Sequence, residues 1–227
     1  MRRFTDFLIL LAVLAAMIVL FGLLRDTFWS FTTLGNIANR SPALALVATG
    51  MTVVMITGGI DLSVGSVLGL CGAVVGVMMA DWQWGLSLAL LGSVLVGSAI
   101  GGTTGAVSVK LRLPSFIVSL GMLEMARGLS FLVTNSQTKY IGAAVETLGA
   151  PFGGLVISPA FVISLVIVVA GQVVLSHMAV GRHWIAIGAN REAALVSGVP
   201  VDRPRILAHA LLGALTGLAA VFNCSRL

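Results

Sequence analysis

Two ionisable residues lie within one long apolar stretch of the chain. Glu124 and Arg127 are three positions apart, so they share one face of a helix. An unpaired charge at mid-membrane depth is costly, which favours an ion pair facing the interior of a helix bundle. A polar lining for a hydroxylated substrate is the alternative interpretation. The same pair would also suit the ion relay of a secondary carrier.

A second polar feature is a turn between two apolar runs. Gly58 and Gly59 permit a sharp change of direction. Asp61 suits the N-cap of the following helix, where it would accept backbone N–H bonds near Ser63 and Val64. The simplest interpretation is a helix cap in a cytoplasmic turn, and the alternative is a turn that couples to a partner or lines an inner gate.

The longest charged segment covers residues 178–205. Good helix formers follow Glu192, and Gly198 suits the end of a helix. We therefore expect a short helix on which Ala193 and Ala194 allow another protein to approach closely. A solvated loop is the alternative.

The sequence carries no pattern typical of an enzyme. The three histidines lack the spacing of a metal site, and we expect His177, His183 and His209 at the membrane interface. Neither lysine completes a phosphate-binding loop, so if ATP drives the activity of this protein, a partner subunit must supply that energy. We predict no catalytic, cofactor-binding or metal-ligating residue, and no cofactor.

The composition indicates what positions these residues. Of 227 residues, 58% are hydrophobic and 9% are charged, against roughly a quarter charged in soluble domains. This excludes a soluble enzyme, a disordered chain and a disulfide scaffold. The net charge of +5 is not gathered into a basic patch, so we predict a lipid bilayer rather than nucleic acid as the partner.

The apolar runs are apolar at every position, which favours helices over strands. We predict an all-α, polytopic transmembrane helix bundle of about seven spans, at residues 7–24, 43–58, 62–80, 85–109, 114–134, 160–176 and 206–223. With Arg127 inside a span and Arg226 at the chain end left out, a cytoplasmic N-terminus places eight Lys and Arg inside and three outside, as the positive-inside rule requires. The eight are Arg2, Arg3, Lys110, Arg112, Arg182, Arg191, Arg203 and Arg205, and the three are Arg25, Arg40 and Lys139.

Glycines recur at four-residue spacing in several spans. The pairs and triplets are Gly65 and Gly69, Gly72 and Gly76, Gly97, Gly101 and Gly105, and Gly213 and Gly217. This spacing predicts tight helix packing. A glycine-lined substrate path is the alternative.

Four ordered blocks give the chain a family resemblance. They are G-G-I-D-L-S-V-G-S at 58–66, L-P-S-F-I-V-S-L-G-M at 113–122 with Arg127-Gly128, the stretch 181–199, and the span 205–220. Within the third block, Glu192-Ala193-Ala194 and Gly198 match an E-A-A-x-x-x-G loop. The chain thus resembles the inner-membrane permease subunits of ribose-type sugar ATP-binding-cassette (ABC) importers.

The resemblance implies one multi-pass permease domain over residues 1–227 in the cell inner membrane. Its implied partners are an ABC-type ATPase docked on the loop of Glu192, Ala193, Ala194 and Gly198, a periplasmic solute-binding protein, and a second permease copy. The turn of Gly58, Gly59, Asp61 and Ser63 is a family signature. Glu124 departs from the family pattern, which is usually uncharged at this position. Relatives are also longer than this chain, so we expect the chain to be truncated at its C-terminus. A secondary carrier and a non-transporting remnant remain the alternative functions.

Overall fold

The computed structural model describes residues 2–153 and 156–226, the side chains of residues 2–8 and 26 excepted. Within these residues every regular element is helical. The longer helices are α1 (Arg2–Leu24), α2 (Phe31–Arg40), α3 (Pro42–Ile56), α4 (Val64–Gly76), α5 (Leu86–Lys110), α6 (Ser115–Thr134), α8 (Pro159–His177), α9 (Ala179–Ala189) and α11 (Asp202–Cys224). The short ones are α7 (Glu146–Gly149), α10 (Arg191–Val196), a 3₁₀ turn at Asp26–Trp29 and a π turn at Val77–Asp81 that continues α4.

The predicted transmembrane bundle is confirmed. Six helices of the described chain are long and apolar enough to cross a membrane, and Ile9–Leu24 forms a shorter apolar helix before them. The six are Phe31–Ile56, Val64–Asp81, Leu86–Lys110, Ser115–Thr134, Pro159–His177 and Asp202–Cys224. They match six of the seven predicted spans, except that α2 extends the second span towards the N-terminus, and the predicted span 7–24 corresponds to the shorter apolar helix.

Helix α2 was not predicted, because its sequence mixes polar and apolar residues. Its packing depends on Asn39, which is buried. The Asn39 side chain donates to the carbonyl of Val156 at 2.8 Å and accepts from the N–H of Ser158 at 2.8 Å. One amide therefore connects α2 to the segment that enters α8.

Helix α11 lies at the centre of the bundle and contacts α5, α3, α4 and α9. Its contact with α5 is made through glycines. A Cβ atom added to Gly97 would meet the carbonyl of Gly213, and one added to Gly213 would meet the carbonyl of Gly97. The Ser93 hydroxyl donates to the carbonyl of Gly217 at 2.7 Å. Tight helix packing is therefore confirmed for the glycines of α5 and α11.

The same interpretation is wrong for two glycines of α4. A Cβ atom on Gly65 or Gly69 would meet no atom within 4 Å. Further along the helix, a Cβ on Gly72 would lie 3.4 Å from the Cys224 sulfur. The four-residue spacing places these glycines on one face, but the neighbouring helices leave that face open at Gly65 and Gly69.

The loops separate into two ends of the bundle, as alternating spans require. One end, here called the basic end, gathers residues 57–63, 110–114 and 178–205. It is held together by contacts such as the Ile60 N–H donating to the Ser115 hydroxyl at 2.9 Å. The opposite end carries the Lys139–Asp81 ion pair at 2.7 Å and the Arg226 side chain donating to the Asn39 carbonyl at 2.8 Å. By the positive-inside rule, the basic end is the predicted cytoplasmic end.

The packing of α5 on α11 leads to a first prediction. In Gly101→Leu, the new side chain would meet the His209 carbonyl. Overpacking costs about 1–3 kcal/mol where side chains can yield, and backbone yields less, so we expect at least about 3 kcal/mol of lost stability. Denaturant unfolding in micelles measures this loss. Gly121→Leu on α6 is the matched control, because a Cβ there meets nothing within 4 Å. Equal stability of the two variants would contradict the packing account.

Candidate coupling segment and intramembrane pair

The segment that carries Glu192 folds as two helices at the basic end, α9 followed by α10. Asn190 lies between them with an extended backbone, and its side-chain oxygen accepts from the Ala193 N–H at 3.0 Å. This N-cap fixes where α10 begins. Asn190 lies in the family-like stretch 181–199, but its role as an N-cap was not predicted, although an Asn directly before a helix-forming run is a typical cap signal.

The end of α10 is a turn that requires glycine. Gly198 has a φ of +80°. Its N–H donates to the Leu195 carbonyl at 3.0 Å, and the Val199 N–H donates to the Ala194 carbonyl at 3.0 Å. These two bonds form a Schellman motif, in which the left-handed position favours glycine. The predicted short helix ending at Gly198 is therefore present.

The faces of α10 have different surroundings. Ala194 is buried in a small cluster with Ile187 and Val201. Glu192, Ala193 and Leu195 are exposed, and Val196 is 89% exposed. The helix thus presents a small apolar surface beside a carboxylate, outside the packed bundle. An exposed surface of this kind suits contact with another protein.

Helix α9 connects α10 to the bundle. Trp184 is buried, and its indole N–H donates to the Pro204 carbonyl at 2.8 Å. Gly188 approaches the carbonyl of Ile56 so closely that a Cβ atom would not fit. Helix α9 therefore links α10 to α3 and α11. Trp184 and Gly188 lie in the family-like stretch 181–199, but no role was predicted for either, because their partners lie on other helices.

The signature turn ends α3 with the same kind of Schellman motif, which again contains a left-handed glycine. Gly58 has a φ of +78°. Its N–H donates to the Met55 carbonyl, and the Gly59 N–H donates to the Val54 carbonyl, both at 3.0 Å. The sharp break predicted at the two glycines is present, and only Gly58 adopts the left-handed conformation.

Asp61 caps the turn differently from the prediction. Its Oδ1 accepts from the Ser63 N–H at 2.9 Å and from the Ser63 hydroxyl at 2.6 Å. The N-cap position of α4 is Ser63, so Asp61 lies two residues before it, which leaves no bond to Val64. Asp61 is also only 4% exposed, so its carboxylate is buried within the chain. The Leu62 N–H donates to the Ser119 hydroxyl at 3.0 Å, which fixes the turn against α6.

His209 is another correction, because it was expected at the membrane interface. Helix α11 begins at Asp202, so His209 lies about two turns inside it and packs against Gly105 of α5. The imidazole is buried, and its Nδ1 lies 3.0 Å from the Arg205 carbonyl. Its Nε2 has no hydrogen-bond partner within the described chain.

Glu124 and Arg127 form the predicted pair, with Arg127 Nη1 3.6 Å from Glu124 Oε1. The expectation that the pair faces the bundle interior is wrong, since the two side chains are 69% and 63% exposed. The inward face of α6 is occupied by Ser115, Ser119 and Ala126. Positions 124 and 127 therefore point away from it, with Arg127 on the rim of a groove between α4 and α6.

Metal binding has no support in the described part of the chain. No group of three or more His, Cys, Asp or Glu side chains lies together there.

Comparison with known proteins places the chain among transport proteins. Residues 33–227 match the family model described as branched-chain amino acid transport system / permease component. The chain is 32% identical over 224 residues to the ribose import permease protein RbsC of Escherichia coli (strain K12), covering 96% of this chain and 68% of the relative. It is 34% identical over 227 residues to the autoinducer 2 import system permease protein LsrC of Enterobacter sp. (strain 638), covering 100% and 64%. No solved structure matches the chain.

The exposed pair leads to a second prediction. Glu124→Gln leaves Arg127 unpaired within an apolar helix, so it should destabilise the protein more than Glu124→Gln with Arg127→Gln. We expect a coupling free energy on the order of 1 kcal/mol from the double-mutant cycle, measured by unfolding in bilayers.

The control is the Arg191–Asp202 pair at the basic end. Its atoms are 3.9 Å apart, and its side chains are 57% and 67% exposed. An exposed pair in water contributes little, so its cycle should give almost no coupling. Strictly additive effects at Glu124 and Arg127 would contradict the pairing.

Proposed function

The chain belongs to the family of branched-chain amino acid transport system permease components, and on this basis we propose that it is the transmembrane permease subunit of an ATP-driven importer of a sugar or related polyol. It is a multi-pass membrane protein of an ABC importer family and is not itself an ATPase. Family membership favours this function over a secondary carrier.

The observation that carries the proposal is the coupling segment, defined as α9 and α10 with Gly198. One face of α10 is exposed and open to a docking protein. The segment is held to the bundle through Trp184 and Gly188 of α9. Leu195 and Val196 offer apolar contacts, and Glu192 offers a charge that can meet Arg or N–H groups of a partner. An ABC-type ATPase is the partner that we propose for this surface.

The anchors of the segment suggest how ATP hydrolysis is transmitted. The Trp184–Pro204 bond joins α9 to the beginning of α11, and the Gly188 contact joins it to the end of α3. The signature turn begins where α3 ends. Movement of the ATPase would therefore reach both the central helix and the turn of Gly58 and Asp61.

Sugar transport is supported by the relatives. One is named a ribose import permease protein and another an autoinducer 2 import system permease protein. An external solute-binding protein would deliver the ligand at the end opposite the coupling segment. A second permease copy would complete the membrane part of the importer.

The test uses Gly198→Val with Glu192→Ala in the importer. A β-branched residue at this φ costs about 1–2 kcal/mol, which should distort the turn that ends α10. We expect ATPase co-purification to fall about tenfold, the equivalent of about 1.4 kcal/mol. ATP-dependent uptake of a panel of labelled pentoses, hexoses and polyols should fall with it.

The matched control is Gly142→Val. Gly142 has a φ of +75° and open space around it, as Gly198 has, but it lies in the loop at the opposite end. The control should keep the ATPase bound. A retained ATPase complex and retained uptake in the coupling variant, at equal permease levels, would mean that the segment is only a linker.

A further inference from the structure

We propose that the groove between α4 and α6, with Gly65 and Gly69 as its floor, forms one wall of the aqueous path along which a neutral, hydroxylated ligand crosses the membrane. This inference rests on the proposed function and specifies which face of the chain carries it out. The groove has a volume of about 410 Å³, and Ser66, Arg127 and Ser130 line it together with the glycines.

The glycines of this groove serve no packing purpose in the chain. On α5 and α11, glycine lets two backbones touch, and an added Cβ would collide. At Gly65 and Gly69, an added Cβ would meet nothing within 4 Å. Glycine lowers helix stability by about 1 kcal/mol relative to alanine, so these positions lack the compensation found on α5. A narrow path that must stay wide enough for a ligand explains their lack of side chains.

The groove extends along the membrane helices towards the opposite end. A second cavity of about 250 Å³ shares Gly69 with the first and continues past Gly72 and Gly76. It reaches Lys139 and Asn223 near the ends of α6 and α11. The two cavities together follow one face of α4 from Leu62 at the basic end to Lys139.

The groove places Ser66, Arg127 and Ser130 among the apolar side chains of Leu62, Leu123 and Phe131, whereas the open faces of α5 and α8 carry aliphatic side chains. The exposed face of α8 carries Val162, Val166 and Val169, and that of α5 carries Leu91 and Leu95. Those faces suit lipid. The exposed charges of Glu124 and Arg127 do not suit contact with lipid, because hydrocarbon cannot solvate them. Water in a narrow groove beside this face lowers that penalty, while the surrounding hydrocarbon keeps the local dielectric low enough for the ion pair to contribute to stability.

The charges of the groove indicate the class of ligand. Arg127 is matched by Glu124 at 3.6 Å, and Lys139 is matched by Asp81 at 2.7 Å. Each cation along the path thus has its own carboxylate, and none is left to hold an anionic ligand. The Ser130 hydroxyl donates to the Arg127 carbonyl at 2.7 Å and keeps its oxygen available as an acceptor. Such groups suit the hydroxyls of an uncharged sugar or polyol.

The experiment measures water access along the groove in the assembled importer. In a background carrying Cys71→Ala and Cys224→Ala, the test variants are Ser66→Cys, Gly69→Cys and Ser130→Cys. The controls are Leu95→Cys and Val166→Cys, which are exposed on the α5 and α8 faces. The probe is a membrane-impermeant, cationic methanethiosulfonate, which reacts with thiolates and therefore needs water at the site.

We expect the groove positions to react at least about tenfold faster than the two controls. Rates equal to those of the controls would overturn the proposal, whether lipid or a dry contact with another chain covers the face. The measurement needs neither ATP nor a known substrate. An unreactive groove in an importer that still binds its ATPase would overturn only this inference, and a reactive groove without ATPase binding would overturn only the coupling role.

A second arm tests the charge of the path. Adding Glu124→Gln leaves Arg127 unmatched beside the groove. At Gly69→Cys, an anionic sulfonate reagent should then gain at least about threefold over the cationic reagent, relative to the same ratio without Glu124→Gln. An unchanged ratio would overturn the assignment of a neutral ligand.

Discussion

The backbones of α5 and α11 approach each other so closely that no methyl group fits between Gly97 and Gly213. In a bilayer, lipid is as apolar as the helices, so association depends on such close contact and on hydrogen bonds between helices. The Ser93–Gly217 bond adds one of these at 2.7 Å. Because α11 also contacts α3, α4 and α9, the position of each of these helices depends on this contact.

Helix α11 then connects the two regions to which we assign function. Its beginning accepts the Trp184 N–H bond that holds the coupling segment, and its end contributes Asn223 to the second cavity, which continues the groove along α4. The end of α3 is joined to the same segment through Gly188 and leads directly into the turn at Gly58. A displacement of the coupling segment would therefore act on α11, which borders the proposed path, and on the end of α3, which leads into the turn.

Apolar runs predicted most of the spans, because a membrane helix needs an uninterrupted stretch of such residues. The end of α10 at Gly198 was also predicted, because glycine readily adopts the left-handed conformation with which helices end. Spacing could not predict what a helix face meets. It paired Glu124 with Arg127 but could not reveal that both are exposed. It grouped Gly65 with Gly97, although one faces open space and the other faces a backbone. The burial of His209 depends on where α11 begins, and Asn39 is explained only by distant partners.

The central claim is that the coupling segment contacts an ATPase, and site-specific photo-crosslinking in the assembled importer tests it most directly. A photoreactive residue at Val196 should form a crosslink with the ATPase, since this side chain is 89% exposed on α10. Tyr140 is the matched position, 88% exposed at the opposite end, and should form none. Crosslinking to the ATPase from Tyr140, or its absence from Val196 in an importer that hydrolyses ATP, would contradict the account.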